Sequence, residues 1–141
     1  MDVGRILVAL DGSPRDPGVL RAADELATRF DAVLFLLRVI LIQPEAPAAT
    51  PADELPTALT DALRELEVLA EGFPRARARA PFVEIGQPWR VIVEAAQRLE
   101  VDLIVVGSHG YSGIDRLIGT TAARVANRSN RNVLVVHERA R

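Results

Sequence analysis

The chain has 141 residues, of which 49% are hydrophobic and 26% charged, a balance typical of one globular domain and unlike that of a disordered or fibrous chain. It contains no cysteine, which excludes disulfides and cysteine nucleophiles, and its 17 basic residues are all arginine, which excludes lysine Schiff bases and Walker-type phosphate loops. The formal net charge of -2 provides no general basic field, so we expect no nucleic-acid partner.

The N-terminal segment predicts a buried strand followed by a turn. Residues 5–10 (RILVAL) form a short apolar run, and Asp11-Gly12-Ser13-Pro14 follows with residue types that favour turns and helix starts. The strand is not preceded by the basic and then apolar pattern of a signal peptide, and no later segment approaches the roughly 18 apolar residues of a membrane span. We therefore expect a cytoplasmic protein without a membrane partner.

A helix and a second strand are expected next. Asp16 before Pro17 is typical of a helix cap and first-turn pair, and Ser13 before Pro14 is an alternative start. Residues 32–40 are almost continuously apolar, as in a strand covered on both faces. Their one charged residue, Arg38, is expected to reach the end of that strand. The apolar face of the helix consists of Leu20, Ala23, Leu26, Ala27 and Phe30.

The middle of the chain contains a loop and then a second helix. Residues 43–54 are rich in proline and alanine and show no hydrophobic period, so they predict a surface loop within the domain. Apolar residues then recur at helical spacing from Leu55 to Ala70 and predict the second helix.

A third strand and a third helix follow. Residues 77–85 predict a strand that is partly exposed, and Pro81 within it favours a position at the edge of the sheet. Gly86-Gln87-Pro88 ends that strand and opens a helix whose apolar face is predicted to include Trp89, Ile92, Val93, Ala96 and Leu99.

The last third of the chain completes an alternating pattern. Residues 102–106 predict a fourth strand, residues 114–125 a last helix and Asn132 to Val136 a last strand. Strands that alternate with helices require right-handed crossovers and a parallel sheet with helices on both faces. We therefore expect one domain, residues 1–141, of the α/β class with a doubly wound sheet of five parallel strands.

Two of the predicted strand ends carry glycine-rich sequences. Asp11-Gly12 follows the first strand and Gly107-Ser108-His109-Gly110 follows the fourth. In a sheet of order 3-2-1-4-5 these ends are neighbours, at the point where such sheets bind ligands. Glycines let backbone amides approach an anion closely, so a phosphate group is the expected ligand.

Further polar groups fit a nucleotide. Gly119-Thr120-Thr121 provides two hydroxyls for phosphate oxygens, and Asp11 could accept a hydrogen bond from a ribose hydroxyl or help to hold a divalent cation. A nicotinamide dinucleotide fold requires its glycine fingerprint directly after the first strand, where only Gly12 is present. His109 and His137 lie far apart in the sequence, so we expect no histidine metal site.

Four segments together resemble the universal stress protein family: ILVALDGS, EIGQPWRVIVEAA, DLIVVGSHGYSG and GTTAARVANRSNRNVLVV. The resemblance covers essentially the whole chain and implies a Rossmann-like three-layer sandwich that is usually a homodimer. The ATP-binding branch is recognised by Gly-x-x-Gly, nine residues, and Gly followed by Ser or Thr. Here Gly107 and Gly110 are followed by Gly119-Thr120 after eight residues, one fewer than in the family pattern.

The resemblance implies ATP or another adenine nucleotide as ligand, with Mg²⁺ or Mn²⁺ as candidate cations. Asp11 and the backbone before it would border the adenosine, Val39 would meet the adenine, and the glycine loop would hold the phosphates. Thr121 adds a second hydroxyl that could compensate for the shorter spacing. The implied binding residues are Ala9, Leu10, Asp11, Val39, Gly107, Ser108, His109, Gly110, Gly119, Thr120 and Thr121.

The leading interpretation is a nucleotide-binding regulatory protein of the stress response. A slow nucleotide hydrolase with weak ATPase activity and a nucleotide-free dimerisation module are the alternatives. No catalytic residue is assigned, because the adjacent Ser108 and His109 would seldom point at one another. The apolar last strand would aggregate as an open edge, so we expect it to pair with a second copy in a homodimer.

Overall fold

The computed structural model describes residues 2–41, 52–73, 78–108 and 120–137. In these ranges strands and helices alternate along the chain, as the hydrophobic pattern predicts. The elements are β1 (Arg5–Leu10), α1 (Asp16–Phe30), β2 (Val33–Ile40), a one-turn 3-10 helix (Ala52–Glu54), α2 (Leu55–Glu71), β3 (Phe82–Ile85), α3 (Pro88–Arg98), β4 (Leu103–Gly107), α4 (Thr120–Arg128) and β5 (Asn132–Val136).

The five strands form one parallel sheet of order β3-β2-β1-β4-β5, which confirms the predicted fold class and strand order. β1 is the central strand, and its Leu7 pairs with Phe35 of β2 on one side and with Ile104 of β4 on the other. The chain changes winding direction between β1 and β4. Doubly wound sheets bind ligands beyond the carboxyl ends of the two strands at this switch point.

Two apolar layers cover the two faces of the sheet. On one face α1 and α2 pack through Leu20, Ala23 and Leu66 against strand residues such as Leu34. On the other face α3 and α4 pack through residues such as Ile92 and Val125. Alternate residues of each strand point to opposite layers, so both layers depend on the near-continuous apolar runs of the central strands.

Most boundaries agree with the predictions, and the small shifts have local causes. β1 and β5 have the predicted bounds. β2 begins one residue later than predicted, because Ala32 donates its amide to Ala27 and closes α1 through a left-handed residue, Asp31. β3 lies at the sheet edge as predicted but spans only Phe82–Ile85.

Two expectations require correction. Asp16 does not cap α1, since the N-cap is Arg15 and makes no side-chain cap hydrogen bond, and the Asp16 carboxyl turns back toward the preceding turn. Arg38 reaches the carboxyl end of the strands as predicted, and its guanidinium lies against Gly12 in the turn after β1. Residues 52–54 of the predicted surface loop form the 3-10 helix that leads into α2.

The predicted third helix also has a different buried face. Its most buried residues are Pro88, Val91, Ile92, Ala95 and Ala96, whereas Trp89, Val93 and Leu99 are only partly buried. The remainder of the predicted loop, residues 43–51, and the predicted start of the last helix lie outside the described residues. In the parts of the chain that the structure describes, no helix is long and apolar enough to cross a bilayer.

Candidate functional site

A cleft opens at the carboxyl ends of the central strands, between the start of α1 and the helices of the opposite layer. Its free volume is about 510 Å³ including the open mouth, and little of this space is wide enough for a water molecule, so the cleft is a narrow slot. The described residues that line it are Ala9, Leu10, Asp11, Arg15, Asp16, Val19, Val39, Pro88, Ile92, Val106, Gly107 and Thr121.

The turn after β1 forms one wall of the cleft and is held by backbone amides. Asp16 accepts hydrogen bonds from the amides of Asp11 at 3.1 Å and Gly12 at 2.8 Å. Asp11 in turn accepts from the amide of Ser13 at 2.9 Å, as in an Asx turn. Gly12 has a φ of 80°, a conformation that favours glycine, so the sequence Asp11-Gly12 suits this turn.

Asp16 is only 5% exposed, and its burial governs its ionisation. Burial raises the pKa of the Asp16 carboxyl from 3.8 to about 7. The negative charge of Asp11 and a hydrogen bond between the two carboxyl groups add to this rise, while the amides of Asp11 and Gly12 oppose it. The polar wall of the cleft therefore contains one carboxyl group that changes its charge near neutral pH.

The remaining walls are mostly apolar. Val39 from β2, Val106 from β4 and Ile92 from α3 bring aliphatic side chains to the cleft. Thr121 from the first turn of α4 and Arg15, directly before α1, also line the cleft. This arrangement combines apolar contacts for a flat ring with acceptors for hydroxyl donors at one end.

Six predicted residues line the cleft together: Ala9, Leu10, Asp11, Val39, Gly107 and Thr121. Ser108 is not among the lining residues; its side chain is buried, and its hydroxyl has no partner among the described residues. Thr120 is exposed at the start of α4 and is likewise absent from the lining. His109, Gly110 and Gly119 lie outside the described residues.

Sequence reasoning missed six lining residues, Arg15, Asp16, Val19, Pro88, Ile92 and Val106. The sequence did contain signals for some of them. Pro88 and Ile92 lie one helical turn apart at the start of α3, which follows a strand of the same sheet. Asp16 was interpreted as a helix cap. That interpretation left out its contact with Asp11, five residues earlier in the chain.

The described residues set bounds on the chemistry of the site. Among them, no group of three or more His, Asp or Glu side chains could hold a metal ion. The described lining also contains no serine, cysteine, lysine or histidine, the usual nucleophiles and bases of covalent catalysis. The one acid of this lining with a perturbed pKa is Asp16.

Comparisons with known proteins agree on one family. The model of the universal stress protein family matches residues 3–137. Universal stress protein A homolog 1 of Coxiella burnetii is 31% identical over 96% of this chain and 97% of its own. A universal stress protein of Mycobacterium tuberculosis is 33% identical over 94% of each chain.

Solved structures give the same result. A universal stress protein crystallised in complex with cAMP is 30% identical, with a TM-score of 0.69 over 97% of this chain and 99% of its own. The universal stress protein UspA from Lactobacillus plantarum has a TM-score of 0.74 over 96% of this chain and 99% of its own. At 24% identity, the second likeness concerns the fold.

Proposed function

This chain belongs to the universal stress protein family, and on that premise we propose that it is a regulatory protein of the stress response that binds an adenine nucleotide. The observation that carries the proposal is the narrow cleft at the switch point, with apolar walls and Asp11 at its edge. The relative solved in complex with cAMP supports an adenine nucleotide as the ligand class.

The shape of the cleft suits the parts of a nucleotide. A slot with walls of Val39, Ile92 and Val106 matches a planar purine, because a flat ring buries both faces against aliphatic side chains. Asp11 is an acceptor for ribose hydroxyls, since an ionised carboxylate only accepts hydrogen bonds. The phosphates would then extend toward Gly107 and Thr121, where the predicted glycine loop begins and ends.

We propose ATP as the ligand and regard cAMP as the competing adenine nucleotide. Mg²⁺ or Mn²⁺ would accompany the phosphates, with Asp11 as its candidate ligand from the protein. We propose that the protein is located in the cytoplasm, where adenine nucleotides are available as ligands. We further propose a homodimer formed through β5.

Slow hydrolysis of the nucleotide is a second candidate, favoured by one observation. Asp16 lines the cleft and has a pKa of about 7, which is suited to a general base at neutral pH. Hydrolysis predicts that Asp16→Asn abolishes phosphate release at saturating ATP. A pure binding protein predicts no release from either form.

The proposed function is tested by denaturing the purified protein, identifying any released nucleotide by chromatography, and titrating the emptied protein with ATP, ADP and cAMP in a calorimeter. We expect binding of at least one of these, and a loss of about tenfold or more in affinity in Asp11→Ala. Asp102→Asn is the matched control, because Asp102 accepts two backbone amides at the opposite end of β1. Absence of both released and titratable nucleotide would contradict the proposal.

A further inference from the structure

We propose that Arg38, which does not line the cleft, is a positioning residue that supports the Asp11-Gly12 turn from beneath and is itself oriented by Glu65 of α2. Through this contact, helix α2 would determine how the turn presents Asp11 to the nucleotide. The inference concerns the same site and rests on the proposed function only where nucleotide affinity is measured.

The first observation is the contact between Arg38 and Gly12. A Cβ atom built on Gly12 would lie 2.5 Å from Cζ, 2.6 Å from Nη1 and 2.7 Å from Nη2 of Arg38. A point at nearly equal distances from these three atoms lies over the guanidinium group. The glycine therefore rests on this group with no room for a side chain between them. Arg38 is the register partner of Leu10, the residue directly before the turn.

The second observation is the link from Arg38 to α2. Nη1 of Arg38 donates to Oε2 of Glu65 at 2.9 Å, and the two side chains are 25% and 64% exposed. An ion pair this exposed adds little to stability. It does fix the direction of a long side chain. Nε of Arg38 is buried without a partner among the described residues, and Glu65 is the carboxylate that pairs with the guanidinium there.

The third observation is that a second side chain holds the same turn. Asp16 accepts hydrogen bonds from the amides of Asp11 and Gly12, while Arg38 contacts Gly12. The two contacts together restrict the position of the turn. Removing the contact beneath Gly12 leaves the turn with its hydrogen bonds to Asp16 and the bond from the Ser13 amide to Asp11, so Asp11 becomes less well placed for a ribose hydroxyl.

The contact between the turn and helix α2 lies in an open groove, so the position of α2 can affect it. Gly12, Arg38 and Glu65 all line a groove between the start of α1 and helix α2, and its free space is about 1060 Å³ including the open mouth. Asp16 lines both this groove and the nucleotide cleft. A displacement of α2 relative to β2 would therefore reach the nucleotide site through two side chains and one turn.

The test compares two ion pairs of the same chemistry. Arg38→Ala and Glu65→Ala break the pair under the turn. Arg98→Ala and Glu84→Ala break a 2.7 Å pair between α3 and β3, whose members are absent from the lining of the cleft. Glu65 is an exposed helical residue, so its replacement by alanine keeps the fold even if Arg38→Ala does not.

The first readout is selectivity for the sugar hydroxyls, measured as the ratio of affinities for ATP and 2′,3′-dideoxy-ATP. We expect the wild-type protein to prefer ATP by about tenfold. Glu65→Ala and Arg38→Ala should lose most of this preference by weakening ATP and not the dideoxy analogue. An unchanged ratio in both variants, or an equal loss in the control pair, would overturn the proposal.

The second readout needs no nucleotide. Amide hydrogen exchange at Gly12 and Asp11 in the ligand-free protein should be faster in Glu65→Ala and Arg38→Ala than in the wild type, and unchanged in the control variants. Unchanged exchange at these amides refutes the support role even if binding is altered. If the wild-type protein bound no nucleotide, the proposed function would fail while the exchange experiment still decided the positioning role.

Discussion

Gly107 at the end of β4 and Val19 of α1 approach so closely that a Cβ atom on Gly107 would lie 3.3 Å from Cγ2 of Val19. The backbone of Gly107 does not have a positive φ. This position therefore requires glycine for its small size and not for its conformational freedom. Replacing it by alanine would force α1 away from β4 or narrow the cleft that both residues line.

We predict that Gly107→Ala lowers the free energy of unfolding by about 1 kcal/mol and weakens nucleotide binding, because the added methyl group overpacks a filled contact. Urea denaturation and calorimetric titration measure the two effects. A variant as stable as the wild type with unchanged affinity would show that Val19 yields without cost.

Gly18 offers a matched control for that substitution. It lies within α1, and a Cβ atom there would meet nothing within 4 Å. Gly18→Ala should therefore raise the free energy of unfolding by about 0.5–1 kcal/mol, the usual gain from replacing a helical glycine. The same urea experiment checks it, and affinity for nucleotide should not change.

The raised pKa of Asp16 predicts a pH-dependent stability. The carboxyl ionises near 3.8 in the unfolded chain and near 7 in the folded protein, so between these values the folded state holds the extra proton. The contribution of this extra proton to the free energy of unfolding is complete below pH 3.8. It is lost as the pH rises toward and through 7, by up to about 1.4 kcal/mol per pH unit. Asp16→Asn should remove this part of the slope.

The measurement for Asp16 is a set of urea denaturations between pH 5 and pH 8. The asparagine variant should gain stability relative to the wild type as the pH rises, because its side chain stays neutral. The variant will still lose one of the two hydrogen bonds, because the asparagine side chain has a single oxygen that can accept from the backbone amide of Asp11 or Gly12. A constant difference between the two proteins across this range would contradict the assignment.

Trp89 provides a probe of the packing between α3 and α4. The guanidinium carbons of Arg90 and Arg128 each lie 5.4 Å from its ring centroid, one on its own helix and one on α4. Arg128→Ala should cost about 0.5–1 kcal/mol and change the emission of this single tryptophan. Arg124→Ala, on an exposed position of the same helix, is the control and should leave the emission unchanged.

The proposed dimer makes a prediction about one backbone group. The carbonyl of Val136 accepts from Ser108, so it faces β4, and the alternation of a strand directs the amide of Val135 to the opposite edge. Val135→Pro should therefore convert the dimer to monomer in sedimentation at micromolar concentration, while Val135→Ile should not. Wild-type protein that sediments only as a monomer would refute the dimer itself.

The hydrophobic pattern was sufficient to predict the fold because each element buries a face with its own period. β1 and β5 could be bounded to the residue, since Asp11 and His137 end their apolar runs with polar groups. That Asp11 lines the cleft could be predicted because parallel strands end at one edge of the sheet.

The rest depended on contacts between residues distant in the sequence. The partner of Arg38 lies on another element, so a charge within an apolar strand gave no indication of whether it met solvent, Glu65 or Gly12. Asp16 was predicted as a helix cap because the sequence shows only the local preference of aspartate for helix starts. Its burial depends on the packing of the whole layer that contains α1. Tertiary packing decided both.

The central position of β1 affects how this protein can be synthesised. Residues up to Ile85 contain β1, β2 and β3, so one half of the sheet can pair while the ribosome is still extending the chain. The other edge of β1 waits for β4, whose Leu103 pairs with Ile6. A nascent chain that stalls before β4 is made leaves one edge of the apolar central strand β1 unpaired. This partly folded chain is the form that a chaperone would have to protect.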